Sequence, residues 1–129
     1  MTVDYELNGR TAIVTGASAG MGKASAIGLA SQGVNLLLIA RDPQRLRQAR
    51  EEIEAASKAV VLTLAGSVTE RDLPSKAVSM VIDKWSRLDI LVNNAGGPGM
   101  GSFLEQDDDA WDAALEQNLK SVIRFTRAA

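Results

Sequence analysis

A chain of 129 residues, 46% of them apolar and carrying a formal net charge of -2, is long enough to build one domain with its own core. It contains no cysteine and no histidine, which excludes disulfides, thiolate nucleophiles, zinc fingers and histidine-dependent triads, and fits a cytoplasmic protein. The 14 basic residues are interspersed with 16 acidic ones, so no nucleic-acid-binding face is expected; no apolar run is long enough for a membrane span, and the opening residues do not form a signal peptide.

In chain order, the apolar run Thr11-Ala12-Ile13-Val14-Thr15 is followed by glycines and a small-residue stretch over 21–32 that stops at Gly33. This predicts strand, glycine turn and helix. The run Leu36-Leu37-Leu38-Ile39-Ala40 leads through Arg41-Asp42-Pro43 into a segment with apolar positions at Leu46, Ala49, Ile53 and Ala56, which predicts a helix with one buried face. Asp42 has the place of an N-cap ahead of Pro43. A third run over 59–64 precedes Leu73, Ala77, Val81 and Trp85 at helical spacing, and a fourth, Leu88-Asp89-Ile90-Leu91-Val92, ends in Asn93-Asn94-Ala95-Gly96. A glycine-rich loop then leads to a last helix from about Asp107, where three aspartates suit the positive end of the helix dipole. Its apolar stripe is Trp111, Leu115, Val122 and Phe125, with Trp85 and Trp111 expected in the core.

The strands read as nearly continuous apolar runs, the pattern of strands covered on both faces. The expectation is an α/β fold: a Rossmann-type doubly wound parallel sheet in the order 3-2-1-4, one domain over residues 1–129. The last helix meets neither glycine nor proline before Ala129, so the chain is expected to be truncated within the fold, after the helix that follows the fourth strand.

The turn Thr15-Gly16-Ala17-Ser18-Ala19-Gly20-Met21-Gly22 carries the clearest chemistry. Glycines 16, 20 and 22 let the backbone turn tightly, approach a pyrophosphate and pack the helix close to the sheet, while the helix N-terminus offers free N–H groups to the anion. Ala40-Arg41 stands at the end of the second strand, where an acid would bind a ribose 2'-hydroxyl. A neutral residue followed by a guanidinium points instead to a 2'-phosphate, and so to NADP(H) over NAD(H). No metal site is expected.

The spacing Gly-x-x-x-Gly-x-Gly together with Asn93-Asn94-Ala95-Gly96 at the end of the fourth strand resembles the short-chain dehydrogenase/reductase family, of its classical type and most like the 3-oxoacyl-carrier-protein reductase branch. The resemblance covers nearly all of the chain. It implies a cofactor site in which Gly16, Gly20 and Gly22 line the pyrophosphate and ribose and Ser18 and Met21 add polar and backbone contacts. Asn94, Ala95 and Gly96 would lie on the nicotinamide side, Asn93 would tie strands together, and adenine would sit near Ser67 and Val68. The chain departs from the family pattern at Ser67, where the family usually has aspartate, and at Ala19, where many NADP-preferring relatives have a basic residue. Asn118 falls in the apolar stripe of the last helix, so its buried amide needs partners. One reading bonds it to neighbouring backbone, bending the helix; the resemblance implies another, in which this asparagine is catalytic and holds a water that relays protons to the active-site lysine.

The family transfers hydride between a nicotinamide and a carbonyl or alcohol substrate with a serine and a Tyr-x-x-x-Lys pair. The one tyrosine of this chain is Tyr5, followed four residues on by Gly9, so the chain alone is expected to be inactive. The parent would be an NADP(H)-dependent oxidoreductase represented by its cofactor-binding half. The alternatives are a stand-alone nucleotide-binding or interaction module and, more distantly, a methyltransferase-type fold. The loop Gly97-Pro98-Gly99-Met100-Gly101 is expected to form one wall of the substrate site. An open edge at the fourth strand, with Leu119, Val122, Ile123 and Phe125 uncovered on the last helix, predicts a homo-oligomer or another partnered state.

Overall fold

A computed structural model describes residues 3–97 and 101–129. Four parallel strands, β1 (Thr11–Thr15), β2 (Asn35–Ala40), β3 (Val61–Ala65) and β4 (Ile90–Val92), form one sheet in the order β3-β2-β1-β4, as the sequence predicts. Helices α1 (Gly20–Ser31), α2 (Pro43–Ala56) and α3 (Leu73–Trp85) connect them. Each connection joins two parallel strands through a helix, which is what a parallel sheet requires.

The central strands explain their continuous apolar sequence. All of β1 and the middle four residues of β2 are buried, and successive side chains enter opposite layers. Ala12, Val14, Leu36 and Leu38 pack with Ala26, Ala30, Leu46, Ala49 and Ile53 of α1 and α2. Ile13, Leu37 and Ile39 pack with Leu73, Ala77, Val81 and Phe125 on the other face. The outer strands differ from the expectation of full burial: β3 has one buried residue and β4 has none, because each is paired on a single side. Ala56 likewise lies exposed at the end of α2, beyond the face that Leu46, Ala49 and Ile53 bury.

The predicted caps are present. The Asp42 carboxylate accepts the N–H groups of Gln44 and Arg45 at 2.9 and 3.3 Å, and Gly33 takes a φ of 81° just after α1. At the opposite end of the sheet, Asp89 accepts the Thr11 N–H at 2.9 Å and pairs with Arg87 at 2.7 Å and Arg10 at 3.2 Å, joining the start of β1 to the approach of β4.

The last helix is three segments rather than one: α4 (Asp108–Leu115), a π-helical turn over Glu116–Lys120, and α5 (Ser121–Ala128). Asp107 caps α4 by accepting the Ala110 N–H at 2.8 Å. In the π-turn the Ser121 N–H reaches back five residues to the Glu116 carbonyl. The carbonyls this displacement would strand are taken by side chains: Ser121 Oγ donates to Gln117 O at 2.6 Å, and Asn118 Nδ2 donates to Ala114 O at 2.9 Å.

The π-turn corrects three expectations. A seven-residue step keeps Asn118 and Phe125 on one stripe of a regular helix, but the wider turn separates them. Phe125 is buried at 1% exposure against α3 and the sheet, not uncovered, whereas Asn118 is exposed. Trp111 is 47% exposed and not in the core, because α4 stands on the turn that follows it instead of on the sheet; its ring meets Phe103 edge to face at 6.0 Å. Trp85, the last residue of α3, is half-buried and packs on the edge of that core layer, short of the full burial expected for it.

Candidate functional site

Parallel strands that diverge to opposite sides at their C-terminal ends leave a crevice there. In this chain β1, β2, β3 and β4 end around a cleft of about 420 Å³. Its lining gathers segments far apart in sequence: Gly16, Ser18, Gly20 and Met21 after β1, Arg41 after β2, Ser67 and Val68 after β3, and Asn94, Ala95 and Gly96 after β4.

The glycine turn is built for close approach. Gly16 and Gly20 take φ of 62° and 55°, a region that side chains disfavour. Gly22 is needed for a different reason, since a Cβ there would collide with the Gly16 carbonyl oxygen, so the first turn of α1 rests directly on the strand exit. Ala19, at the N-cap of α1, has no side chain able to occupy the free N–H groups, and the first turn has no acidic residue. That end of the helix is left open to an anion.

Thr15 ties the two central loops together. Its hydroxyl, 1% exposed, accepts the N–H groups of Asn94 and Ala95 at 2.9 and 3.1 Å and donates to Val92 O at 3.3 Å. Asn94 Nδ2 donates to Gly16 O at 3.4 Å, so the loop after β4 is fastened to the glycine turn twice. Asn93 turns away and donates to Thr126 Oγ1 of α5 at 3.4 Å, joining the strand end to a helix and not to another strand.

At the other end of the cleft, Val68 supplies a buried apolar floor. The Ser67 hydroxyl is shared with Thr69 Oγ1 at 2.8 Å and accepts the Thr69 N–H at 3.3 Å, so it is already engaged within its own turn. Arg41 lies on the rim, and the only carboxylate beside it in the lining, Asp42, is directed at the N-terminus of α2.

Asn118 does not line the cleft; it holds the segment that does. Its Oδ1 accepts the Gly97 N–H at 2.9 Å, and its Nδ2 donates to Gly97 O at 3.2 Å. Of its two readings from sequence, bonding to neighbouring backbone is what the geometry displays, with the helix widened to a π-turn there. Tyr5 is 63% exposed and is not part of the lining. Pro98, Gly99 and Met100, from the loop expected to wall the substrate site, lie outside the described residues. Sequence reading missed Arg45 and Gln117, which also line the cleft, and Thr15 as the junction. Arg45 was legible in principle, four residues after Arg41 at the start of the helix that follows it; Gln117 was not, because the π-turn sets its direction.

Among the described residues no cluster of acidic side chains could hold a metal ion. A cleft at strand C-termini, a glycine turn under an uncapped helix and a β4 loop latched to that turn define an α/β protein of the Rossmann type.

The chain belongs to the short-chain dehydrogenase family, whose family model matches residues 10–129. It is 37% identical over 118 residues to an uncharacterized oxidoreductase of Staphylococcus saprophyticus, covering 92% of this chain and 50% of that protein. It is 32% identical over 120 residues to dehydrogenase/reductase SDR family member 4 of Caenorhabditis elegans, covering 92% and 46%. Among solved structures, L-sorbose reductase from Gluconobacter frateurii, complexed with NADPH and L-sorbose, superposes with a TM-score of 0.92 at 31% identity over 98% of this chain and 48% of that one. An actinorhodin polyketide ketoreductase with NADPH gives 0.86 at 32% identity, covering 92% and 45%. The chain thus spans about half the length of the curated relatives it matches.

Proposed function

We propose that this chain is the NADP(H)-binding half of a short-chain oxidoreductase that transfers hydride between the nicotinamide and a small carbonyl or alcohol substrate. The observation that carries the reading is the single cleft uniting the glycine turn, Arg41 and Asn94-Ala95-Gly96. Gly16, Ser18, Gly20, Met21 and Gly22 would receive the pyrophosphate and its ribose at the open end of α1, and Asn94, Ala95 and Gly96 the nicotinamide ribose. Ser67 and Val68 would flank adenine, and Arg41 would hold the 2'-phosphate. When bound, the cofactor supplies or accepts the hydride. The chain's own part is to orient it: Thr15 fixes the β4 loop on the glycine turn, and Asn118 fixes Gly97 behind it, which gives Asn118 a positioning role beside the proton relay that the family resemblance implies. Two solved relatives with NADPH support the choice of cofactor.

We extend the reading to a cytoplasmic protein that associates with a second copy, supported by the exposed apolar residues Leu119 and Ile123. No helix among the described residues is long and apolar enough to cross a membrane.

Fluorescence titration with NADPH and NADH tests the assignment. NADPH is expected to bind more tightly, and Arg41→Ala to reduce the preference by about 1 to 3 kcal/mol, the scale of a charge-assisted hydrogen bond. Equal affinity for the two dinucleotides would sink it.

A further inference from the structure

The adenosine end of the cleft holds a second cation. Arg45, in the first turn of α2, lines the cleft beside Arg41, and among the described residues neither guanidinium makes an ion pair. Elsewhere, Arg10 and Arg87 are paired with Asp89, Arg50 with Glu54, and Arg124 with Glu116. Arg47, on the same helix, is unpaired as well but does not line the cleft. Asp42 is the one carboxylate in the lining, and its Oδ1 is spent on the Gln44 and Arg45 N–H groups at the positive end of α2. Ala40 brings no side-chain charge, and its carbonyl is occupied by the Gly66 N–H at 2.9 Å.

We propose that Arg45 is a specificity-determining residue, a second guanidinium that grips, together with Arg41, a phosphomonoester on the adenosine ribose of the ligand. The inference rests on the dinucleotide reading and deepens it. A phosphomonoester carries close to two negative charges and three acceptor oxygens, more than one planar fork can satisfy. Two forks flanking one group satisfy both the charge and the geometry. A hydroxyl in the same place offers no charge to either, so selectivity is shared between the two arginines and does not belong to Arg41 alone.

The test is equilibrium binding of NADPH, NADH, 2',5'-ADP and 5'-AMP to the wild type and to Arg45→Ala, Arg45→Lys and Arg47→Ala, with circular dichroism to confirm the fold of each. Arg45→Ala is expected to weaken NADPH and 2',5'-ADP by about 5- to 20-fold while NADH and 5'-AMP stay within about twofold. Arg45→Lys should fall between, since a point charge keeps the attraction and loses the fork. Arg47→Ala, which removes an equal charge from the same helix, should leave all four ligands within about twofold. If Arg45→Ala matches Arg47→Ala, or weakens the phosphorylated and unphosphorylated ligands alike, the role assigned to Arg45 is overturned. If the wild type binds neither dinucleotide, the reading beneath it fails as well.

Discussion

Asn118 and Gly97 are joined by a reciprocal pair of hydrogen bonds, the side-chain amide of one meeting both backbone groups of the other at 2.9 and 3.2 Å. The same amide satisfies Ala114 O at 2.9 Å, so one residue shapes the helix and holds the site loop. Gly96 takes a φ of 139°, which strains any side chain, and a Cβ there would also displace Asn118 Oδ1 from the clamp.

Asn118→Ala should therefore cost about 1 to 2 kcal/mol of stability, the net worth of a few partly solvated hydrogen bonds. The distinguishing readout is amide exchange: the Gly97 N–H should exchange faster in the variant, while the strand amides of β1 keep their protection. Unchanged exchange at Gly97 would remove the clamp from the account.

Two glycines of α1 should respond in opposite directions to the same change. Gly22→Ala forces a Cβ into the Gly16 carbonyl and should destabilise by about 2 to 3 kcal/mol. Gly28→Ala meets open space in a helix interior and should stabilise by about 0.5 to 1 kcal/mol. Denaturant midpoints decide both; equal effects would mean that the close approach of α1 to the glycine turn is wrongly drawn.

Asp89 gives a pH signature. The Arg87 guanidinium, helped by the Thr11 N–H and Arg10, holds its carboxyl well below the usual carboxylate range. A depressed folded-state value stabilises the protein above the unfolded pKa, near 3.9, and the gain is lost as pH falls toward the folded value. Asp89→Asn should thus cost about 1 to 2 kcal/mol at neutral pH, and its gap from wild type should stay level down to about pH 5 and close below about pH 4. Glu116, lowered to about 2 beside Arg124 and Lys120, adds a contribution of the same sign in both proteins, so the comparison isolates Asp89. A gap that widens in acid would contradict the pairing.

The outer face of α4, the π-turn and α5 leaves Trp111, Leu115, Leu119 and Ile123 between 42 and 53% exposed. Self-association over this face should appear in light scattering as a mass that rises with concentration, with a blue shift of tryptophan emission as Trp111 is covered. Leu119→Glu with Ile123→Glu should abolish both. A stable monomer at high concentration would refute the expectation.

The strand order, the cap at Asp42, and the lining at Gly16, Arg41 and Asn94 were legible because each is written in local sequence: apolar runs, a short polar cap, glycines at fixed offsets. What was not legible depends on long-range geometry. Thr15 looks like one more strand residue until β4 brings two amides to its hydroxyl. Asn118 and Phe125 share a stripe on paper, and only the π-turn separates an exposed clamp from a core ring. Trp111 was misread because helical spacing reports a face and not whether anything covers it.

That π-turn also makes residue count itself a structural variable in this part of the chain. Surface loops absorb insertions and deletions with little consequence. Between 116 and 120 the wide turn holds one residue beyond α-helical pitch, so a one-residue deletion at Gln117 would close it to an ordinary α-turn and leave Phe125 in its layer, while a second deletion, with no such slack left, would rotate everything downstream by about 100°. Single deletions should therefore be tolerated at this turn and double deletions should not, and denaturant midpoints of the two variants would measure how much slack the helix carries there.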